Sequence, residues 1–556
     1  MCEDISKHPL YHYISTKAGC DPVKTIYLCA PEPAVRTAAG VAEFARQSGW
    51  EQQAEDAGAV LVAPVAPLGW AAEPDDLLQT LYNETRNSFA TCSGISIWGR
   101  SGSLWCWETM LYLVGYHAGA DFAGRALVRC PNVFAGTALV GGAPNNFAVG
   151  EQTSDHWLVK QVGRNYNLKN QDIPTCLWMF GGEADATAKT TAHFAKALGA
   201  TAETESTVGG FACRSIQSKT TPAAEIRQFP GAFGAVPSLA DLIMHQCFAH
   251  TIRWKNSPDG TLAPLQSKAE FYADARHVRR SVTVGAYTYD YFIRLPKGRT
   301  AQEAQGLPLV LTVHGRGEPA WMFMGKNGWD ELQDETGAFV LLSPDSPGNI
   351  WFLERDGAAL CQMAAEAVAA FKLDATRVYL TGFSNGGMIT REVGLRYPQP
   401  WAAISPWNAP RCDTYPLQAV DANITPAQFS REFIAVVRDF HASGWELPCY
   451  FIYGDRDGAA KAEENALLPT FLQANRCAAT PAATLRGAAD YPASAGYTQG
   501  DRFVTAVYRG PAGKPGVCVT TMQNMPHGSI SDECRAVWDF LRHFRRRPGE
   551  TAVQWE

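Results

Sequence analysis

A chain of 556 residues is too long for one compact domain of ordinary size and suits two. Its 46% hydrophobic and 19% charged residues are an ordinary globular balance, and no run reaches the roughly 18 apolar residues of a membrane span. A net charge of −7 gives no basic footprint for nucleic acid.

The opening residues, Met1-Cys2-Glu3-Asp4, lack the basic start and apolar stretch of an export signal, which points to the cytoplasm. The fifteen cysteines include no paired Cys-x-x-Cys, so no zinc site and no other metal is implied. Cys29, Cys176, Cys449 and Cys518 fall in apolar runs and are expected as reduced, buried thiols.

In chain order, residues 24–29 form an apolar strand that stops at Ala30-Pro31. Residues 94–98 run into the small-residue turn Gly99-Arg100-Ser101-Gly102-Ser103, and 176–180 run into Gly181-Gly182-Glu183-Ala184-Asp185. Apolar runs of five or six residues bounded by turn residues read as buried strands of a parallel sheet. A helix is expected over 238–254, and a polar, turn-rich junction over 256–276 divides the halves.

The second half begins at about 277. Residues 308–313 are a continuous apolar strand followed by His314-Gly315-Arg316-Gly317. Residues 378–383 are another, and they end in Gly382-Phe383-Ser384-Asn385-Gly386 before a helix-compatible segment at 388–397. Gly-x-Ser-x-Gly between strand and helix is a nucleophile elbow: the turn forces the serine into a sparsely populated backbone region, so small neighbours are needed on either side. The next backbone N–H then lies at a helix N-terminus, suited to a developing oxyanion.

Two further pieces follow in the order serine, acid, histidine. Residues 449–454 are a strand ending at Asp455-Arg456-Asp457, with both aspartates candidates for the acid. His527 lies in a loop between a strand at 516–522 and the last helix at 532–544. Its imidazole is expected to take the Ser384 proton while Asp457 holds the tautomer. The expected oxyanion donors are the backbone N–H groups of Arg316 and Asn385, with His314 shaping the loop. No cofactor is required.

With these residues placed, 277–545 resembles the poly(3-hydroxybutyrate) depolymerase and feruloyl/acetylxylan esterase-like branch of the α/β-hydrolases. The resemblance rests on the hairpin at 282–297, the His314-Gly315 loop, Gly382-Phe383-Ser384-Asn385-Gly386-Gly387-Met388, the segment Phe471-Leu472-Gln473-Ala474-Asn475-Arg476-Cys477, and Met525-Pro526-His527-Gly528. It implies hydrolysis of carboxylic esters through an acyl-enzyme, without a metal.

The first half repeats the plan in outline, with Ala30-Pro31 against His314-Gly315, Ser101 against Ser384, and Asp185 against Asp457. Of the two aspartates in the second half, Asp457 is the one matched by an aspartate in the first. Two tandem α/β-hydrolase-type domains are therefore expected, 1–255 and 277–556. Residues 229–232 offer no histidine where His527 would fall, and His245 and His250 lie inside the helix at 238–254, so the first domain is expected to be non-catalytic. A cap insertion is expected at about 407–447. His314, Trp351 and Trp407, with Phe352 and Tyr415, are candidate substrate contacts, and ordinary packing is the competing reading for each aromatic. An alternative activity is a serine peptidase of the prolyl-oligopeptidase kind, whose N-terminal propeller requires repeated four-strand blades. Oligomeric state is not legible.

Overall fold

The computed structural model describes residues 6–19, 21–85, 105–147, 169–199, 202–254, 260–410, 426–486, 503–523, 525 and 527–556. The chain divides into two compact units at Ser267 and Lys268. Each is built on a mixed sheet flanked by helices.

The first unit contains β1 (Leu10–Ile14), β2 (Pro22–Cys29), β3 (Val60–Pro64), β4 (Trp105–Tyr116), β5 (Gly136–Val140), β6 (Cys176–Phe180), β7 (Thr204–Val208), β8 (Phe211–Gln217) and β9 (Glu225–Phe229). They form one nine-stranded sheet in the order β1-β3-β2-β4-β5-β6-β9-β8-β7. A propeller of four-strand blades, which the peptidase alternative would need, is not what these strands build. The expected junction at 256–276 holds β11 (Leu262–Pro264), which pairs back onto β10 (Thr251–Arg253), and the short helix Lys268–Ala273.

The second unit contains β12 (His277–Val284), β13 (Tyr287–Arg294), β14 (Leu309–Val313), β15 (Val340–Pro344), β16 (Val378–Phe383), β17 (Ala403–Trp407), β18 (Cys449–Gly454), β19 (Ala483–Arg486), β20 (Phe503–Tyr508) and β21 (Val517–Met522). Their order is β12-β13-β15-β14-β16-β17-β18-β21-β20-β19. From β13 to β19 this order repeats that of the first sheet strand for strand, with the same parallel and antiparallel pairings.

The central strands β14 to β18 are buried along their whole length, because helices cover both faces of a parallel sheet. Leu309, Leu311, Leu380, Ile404 and Phe451 pack into one core with Leu360, Met363 and Val393 from the helices Leu353–Phe371 and Asn385–Arg396. Parallel neighbours need a crossover, and the helix Pro426–Ser443 lies in the connection from β17 to β18. Of the expected cap at 407–447, residue 407 ends β17 and 426–443 form the crossover helix, while 411–425 lies outside the described residues.

Candidate active site

Parallel strands deliver their C-terminal ends to one rim, so loops distant in sequence meet there. In the second unit the register brings them together in pairs. Val313 lies opposite Gly382, which sets the loop after β14 beside the turn after β16. Gly454 lies opposite Met522, which sets the turn after β18 beside the loop after β21.

The turn after β16 is an elbow. Ser384 has φ 57° and ψ −116°, and it immediately precedes the helix Asn385–Arg396. Its backbone N–H donates to the Trp407 carbonyl at 2.8 Å. The flanking glycines are required by contact: a Cβ on Gly386 would lie inside van der Waals distance of the Val313 and His314 carbonyl oxygens, and one on Gly382 would meet Gly386. The Asn385 backbone N–H is among the first of its helix, where such groups have no intrahelical partner.

His527 spans the gap between the other two side chains. Its Nε2 lies 2.8 Å from Ser384 Oγ, and its Nδ1 lies 2.7 Å from Asp457 Oδ2. A carboxylate facing Nδ1 assigns the proton to that nitrogen, which leaves Nε2 as the acceptor for the serine hydroxyl. The Asp457 side chain is 5% exposed and that of His527 is 41% exposed. Asp457 is also the N-cap of the helix Gly458–Ala474, where Oδ1 accepts the Ala460 N–H at 3.3 Å. The Phe383 ring lies against His527 with centroids 5.3 Å apart.

Asp455 does different work. Its Oδ1 accepts the Met525 N–H at 3.0 Å, and the Arg456 N–H donates to the Met525 carbonyl at 3.0 Å. It therefore braces the histidine loop from the chain side before His527.

In sequence, the chain is 28% identical over 110 residues to a bifunctional acetylxylan esterase/xylanase of Neocallimastix patriciarum, a match covering 19% of this chain and 16% of that one. It is 27% identical over 107 residues to feruloyl esterase B of Neurospora crassa, covering 17% of this chain and 36% of that one. The matches thus span well under half the length of these curated relatives. Among solved structures, an acetyl xylan esterase from Aspergillus awamori aligns over 48% of this chain and 99% of its own, with 14% identity and a TM-score of 0.37. No family model matches. The chain is similar in sequence to esterases.

His314, expected to shape its loop, and Trp351 and Trp407, for which packing competed with substrate contact, are all buried. His314 is fully buried. The Ser346 backbone N–H donates to its Nε2 at 3.1 Å, so Nδ1 carries the proton and donates to the Gly315 carbonyl at 2.7 Å. Burial pushes this imidazole down to about 3, and it stays neutral and structural. Trp351 is buried as well, with Nε1–H donating to the His314 carbonyl at 3.0 Å. Its backbone N–H and carbonyl pair with Asn385 Oδ1 and Nδ2 at 2.6 and 3.0 Å. Trp407 is buried, stacks on Trp329, and donates to Ser405 Oγ at 2.9 Å. These side chains hold the loops that frame Ser384, because their hydrogen bonds are spent on the scaffold. Phe352 is half-buried beside them, and Tyr415 lies outside the described residues.

Two supporting residues carry no sequence signal. Glu318 Oε2 accepts the Gly315 N–H at 3.2 Å, and its Oε1 pairs with Lys326 Nζ at 2.9 Å, both side chains being buried. Lys326 Nζ also lies 4.2 Å from the Phe383 ring centroid. The pair fixes the loop carrying Arg316, which is half-buried in the turn after β14.

The first unit departs from expectation at its own elbow. Ser101 lies outside the described residues, and the elbow backbone occurs at His117, with φ 52° and ψ −117°. His117 follows β4 and precedes the helix Ala118–Arg129, inside Gly115-Tyr116-His117-Ala118-Gly119. Its N–H donates to the Val140 carbonyl at 2.7 Å. A Cβ on Gly119 would press on the Cys29 and Ala30 carbonyl oxygens, the same constraint that Gly386 meets. Among the described residues no group of three His, Cys, Asp or Glu is placed to hold a metal, and no helix is long and apolar enough to cross a membrane.

Proposed function

We propose that this chain is a serine esterase of the α/β-hydrolase kind, acting through Ser384, His527 and Asp457. The observation that carries the reading is the single imidazole within 2.8 Å of a strained serine hydroxyl and 2.7 Å of a buried carboxylate. Ser384 Oγ attacks the ester carbonyl while His527 Nε2 takes its proton, and Asp457 stabilises the imidazolium. The oxyanion is held by the backbone N–H groups of Arg316 and Asn385. The imidazolium protonates the departing alcohol as the carbon–oxygen bond breaks. Water, deprotonated by the same nitrogen, then releases the acid and restores the serine. Nothing in this sequence needs a metal or cofactor.

Within that class, the motifs of the second half support a reading near the feruloyl esterase and poly(3-hydroxybutyrate) depolymerase branch, with aryl or hydroxyalkanoate esters as substrates. Similarity to acetylxylan and feruloyl esterases supports the ester over the peptide alternative. We read the chain as two tandem domains of this fold, 1–255 and 277–556. The repeated strand order supports this. So does the second elbow, whose histidine and the Ala30-Pro31 loop suit a first domain without acyl-transfer chemistry. The buried thiols Cys29, Cys176, Cys449 and Cys518 act as small apolar side chains, as a cytoplasmic protein would use them.

Labelling with a fluorophosphonate and mapping the adduct tests the reading. A single adduct on Ser384, lost in Ser384→Ala together with turnover of methyl ferulate or oligomeric 3-hydroxybutyrate, is expected. Turnover of either ester that survives Ser384→Ala would refute it.

A further inference from the structure

We propose that Asn408 is a positioning residue whose side-chain amide ties the turn carrying Asp457 to the loop carrying His527. The inference rests on the chemistry proposed for those residues. Asn408 directly follows β17 and is fully buried. Its Oδ1 accepts the Gly454 N–H at 3.0 Å, at the end of β18 and three residues before Asp457. Its Nδ2 donates to the Gly528 carbonyl at 2.7 Å, one residue past His527. Its own N–H donates to the Ile452 carbonyl at 2.7 Å. The preceding residue, Trp407, offers the carbonyl that Ser384 N–H uses. Two consecutive residues therefore touch the segments that carry all three members of the triad.

The chemistry of the position is specific. The site demands one acceptor and one donor on the same short side chain, which an amide supplies and an ionised carboxylate does not. Asn408 also sits at φ 45°, a left-handed conformation that asparagine, aspartate and glycine tolerate and most other residues resist. Asp455 holds the histidine loop on one side through Met525, and Asn408 holds it on the other through Gly528. His527 lies between these two attachments, half out of the protein, with a ring that must keep two hydrogen bonds at once. Loss of one attachment lets the imidazole drift, and a displacement of about 1 Å can cost roughly a hundredfold in rate.

Asn408→Gly removes the amide without backbone strain, whereas alanine would confound the two. Asn408→Asp keeps the size and the backbone tolerance but turns the donor that faces the Gly528 carbonyl into an acceptor. With methyl ferulate as the probe, both variants are expected to lose roughly 10- to 100-fold in kcat with KM nearly unchanged. Phosphonylation of Ser384 by a fluorophosphonate should slow in proportion, although the reagent makes no contact with Asn408. A purely structural role would lower the melting temperature and leave the kcat of the folded fraction alone. Should the glycine variant fail to fold, the aspartate variant decides. Either variant, folded and within about twofold of the parent kcat, overturns the proposal. Ser384→Ala serves as the control: its inactivity together with a parent-like Asn408→Gly refutes only the clamp, whereas its full activity refutes the serine chemistry itself.

Discussion

Asp457→Asn asks whether the carboxylate beside His527 sets the tautomer. In the parent, Asp457 Oδ2 faces Nδ1 at 2.7 Å while Oδ1 caps the helix at Ala460 N. An asparagine that keeps the cap with its oxygen must turn its NH2 toward His527. Nδ1 then becomes the acceptor, the ring proton moves to Nε2, and Ser384 Oγ faces a donor that cannot take its proton. A wrong-tautomer histidine costs roughly 10⁴-fold in kcat, or about 5 kcal/mol of transition-state stabilisation at about 1.4 kcal/mol per tenfold. Asp455→Asn is the matched control, since its amide oxygen still accepts the Met525 N–H. That change should cost about 1 kcal/mol, roughly fivefold in rate. Initial rates on an aryl ester for both variants, each checked for fold by circular dichroism, measure the contrast. An Asp457→Asn enzyme within tenfold of the parent, or an Asp455→Asn enzyme as crippled as roughly 10⁴-fold, refutes the assignment.

Gly386→Ala drives a Cβ into the Val313 and His314 carbonyl oxygens and should cost about 3 kcal/mol or more, read as a fall in melting temperature. Lys326→Met leaves Glu318 buried without its ion-pair partner and should cost about 3–5 kcal/mol in urea unfolding; adding Glu318→Gln should recover much of that loss. His314 has its folded value pushed down to about 3 from the ordinary 6.5, so between these values the unfolded chain holds a proton that the folded chain refuses. Its contribution is therefore present above pH 6.5 and lost as the pH falls toward 3, at about 1.4 kcal/mol per unit; His314→Gln should show a correspondingly flatter acid limb in urea melts. His117→Gly should stabilise the protein by about 1 kcal/mol through release of backbone strain and leave ester turnover unchanged, as measured by calorimetry and initial rates.

What could be read from the sequence was what local pattern determines. The strands ending at Val313, Phe383 and Gly454 are short apolar runs closed by turn residues, and parallel pairing then has one way to bring their ends to a rim. Ser384, the acid turn and His527 follow from that placement. For His314, Trp351 and Trp407 the sequence left a scaffold role and a substrate contact both open, because aromatic and imidazole side chains look alike whether their polar atoms face a substrate or a neighbouring carbonyl. The hydrogen bonds at Gly315, His314 and Ser405 show the scaffold partners that each of the three has. Glu318 and Lys326 flank the short helix Ala320–Met324 in turns that read as solvated, yet both are buried, paired with each other, and Lys326 lies over Phe383, far along the chain.

The misplaced elbow of the first unit shows where a motif misleads. A search for serine among small residues stops at Ser101, yet the backbone signal lies in Gly115 and Gly119 around His117, after an apolar strand and before a helix. The two elbows share their φ and ψ to within a few degrees although one carries a hydroxyl and the other an imidazole. The conformation therefore cannot be a consequence of the nucleophile. It follows from a strand that must turn sharply into a helix packed on its own sheet, so closely that each second glycine touches the carbonyls of the neighbouring strand's end. Strain at such a position is a property of the fold, and it becomes chemistry only where a base and an acid stand at the same rim. In the second unit His527 and Asp457 do so. In the first, the segment after β9 begins Pro230-Gly231-Ala232 and offers no imidazole, which is why the elbow alone is a poor guide to activity.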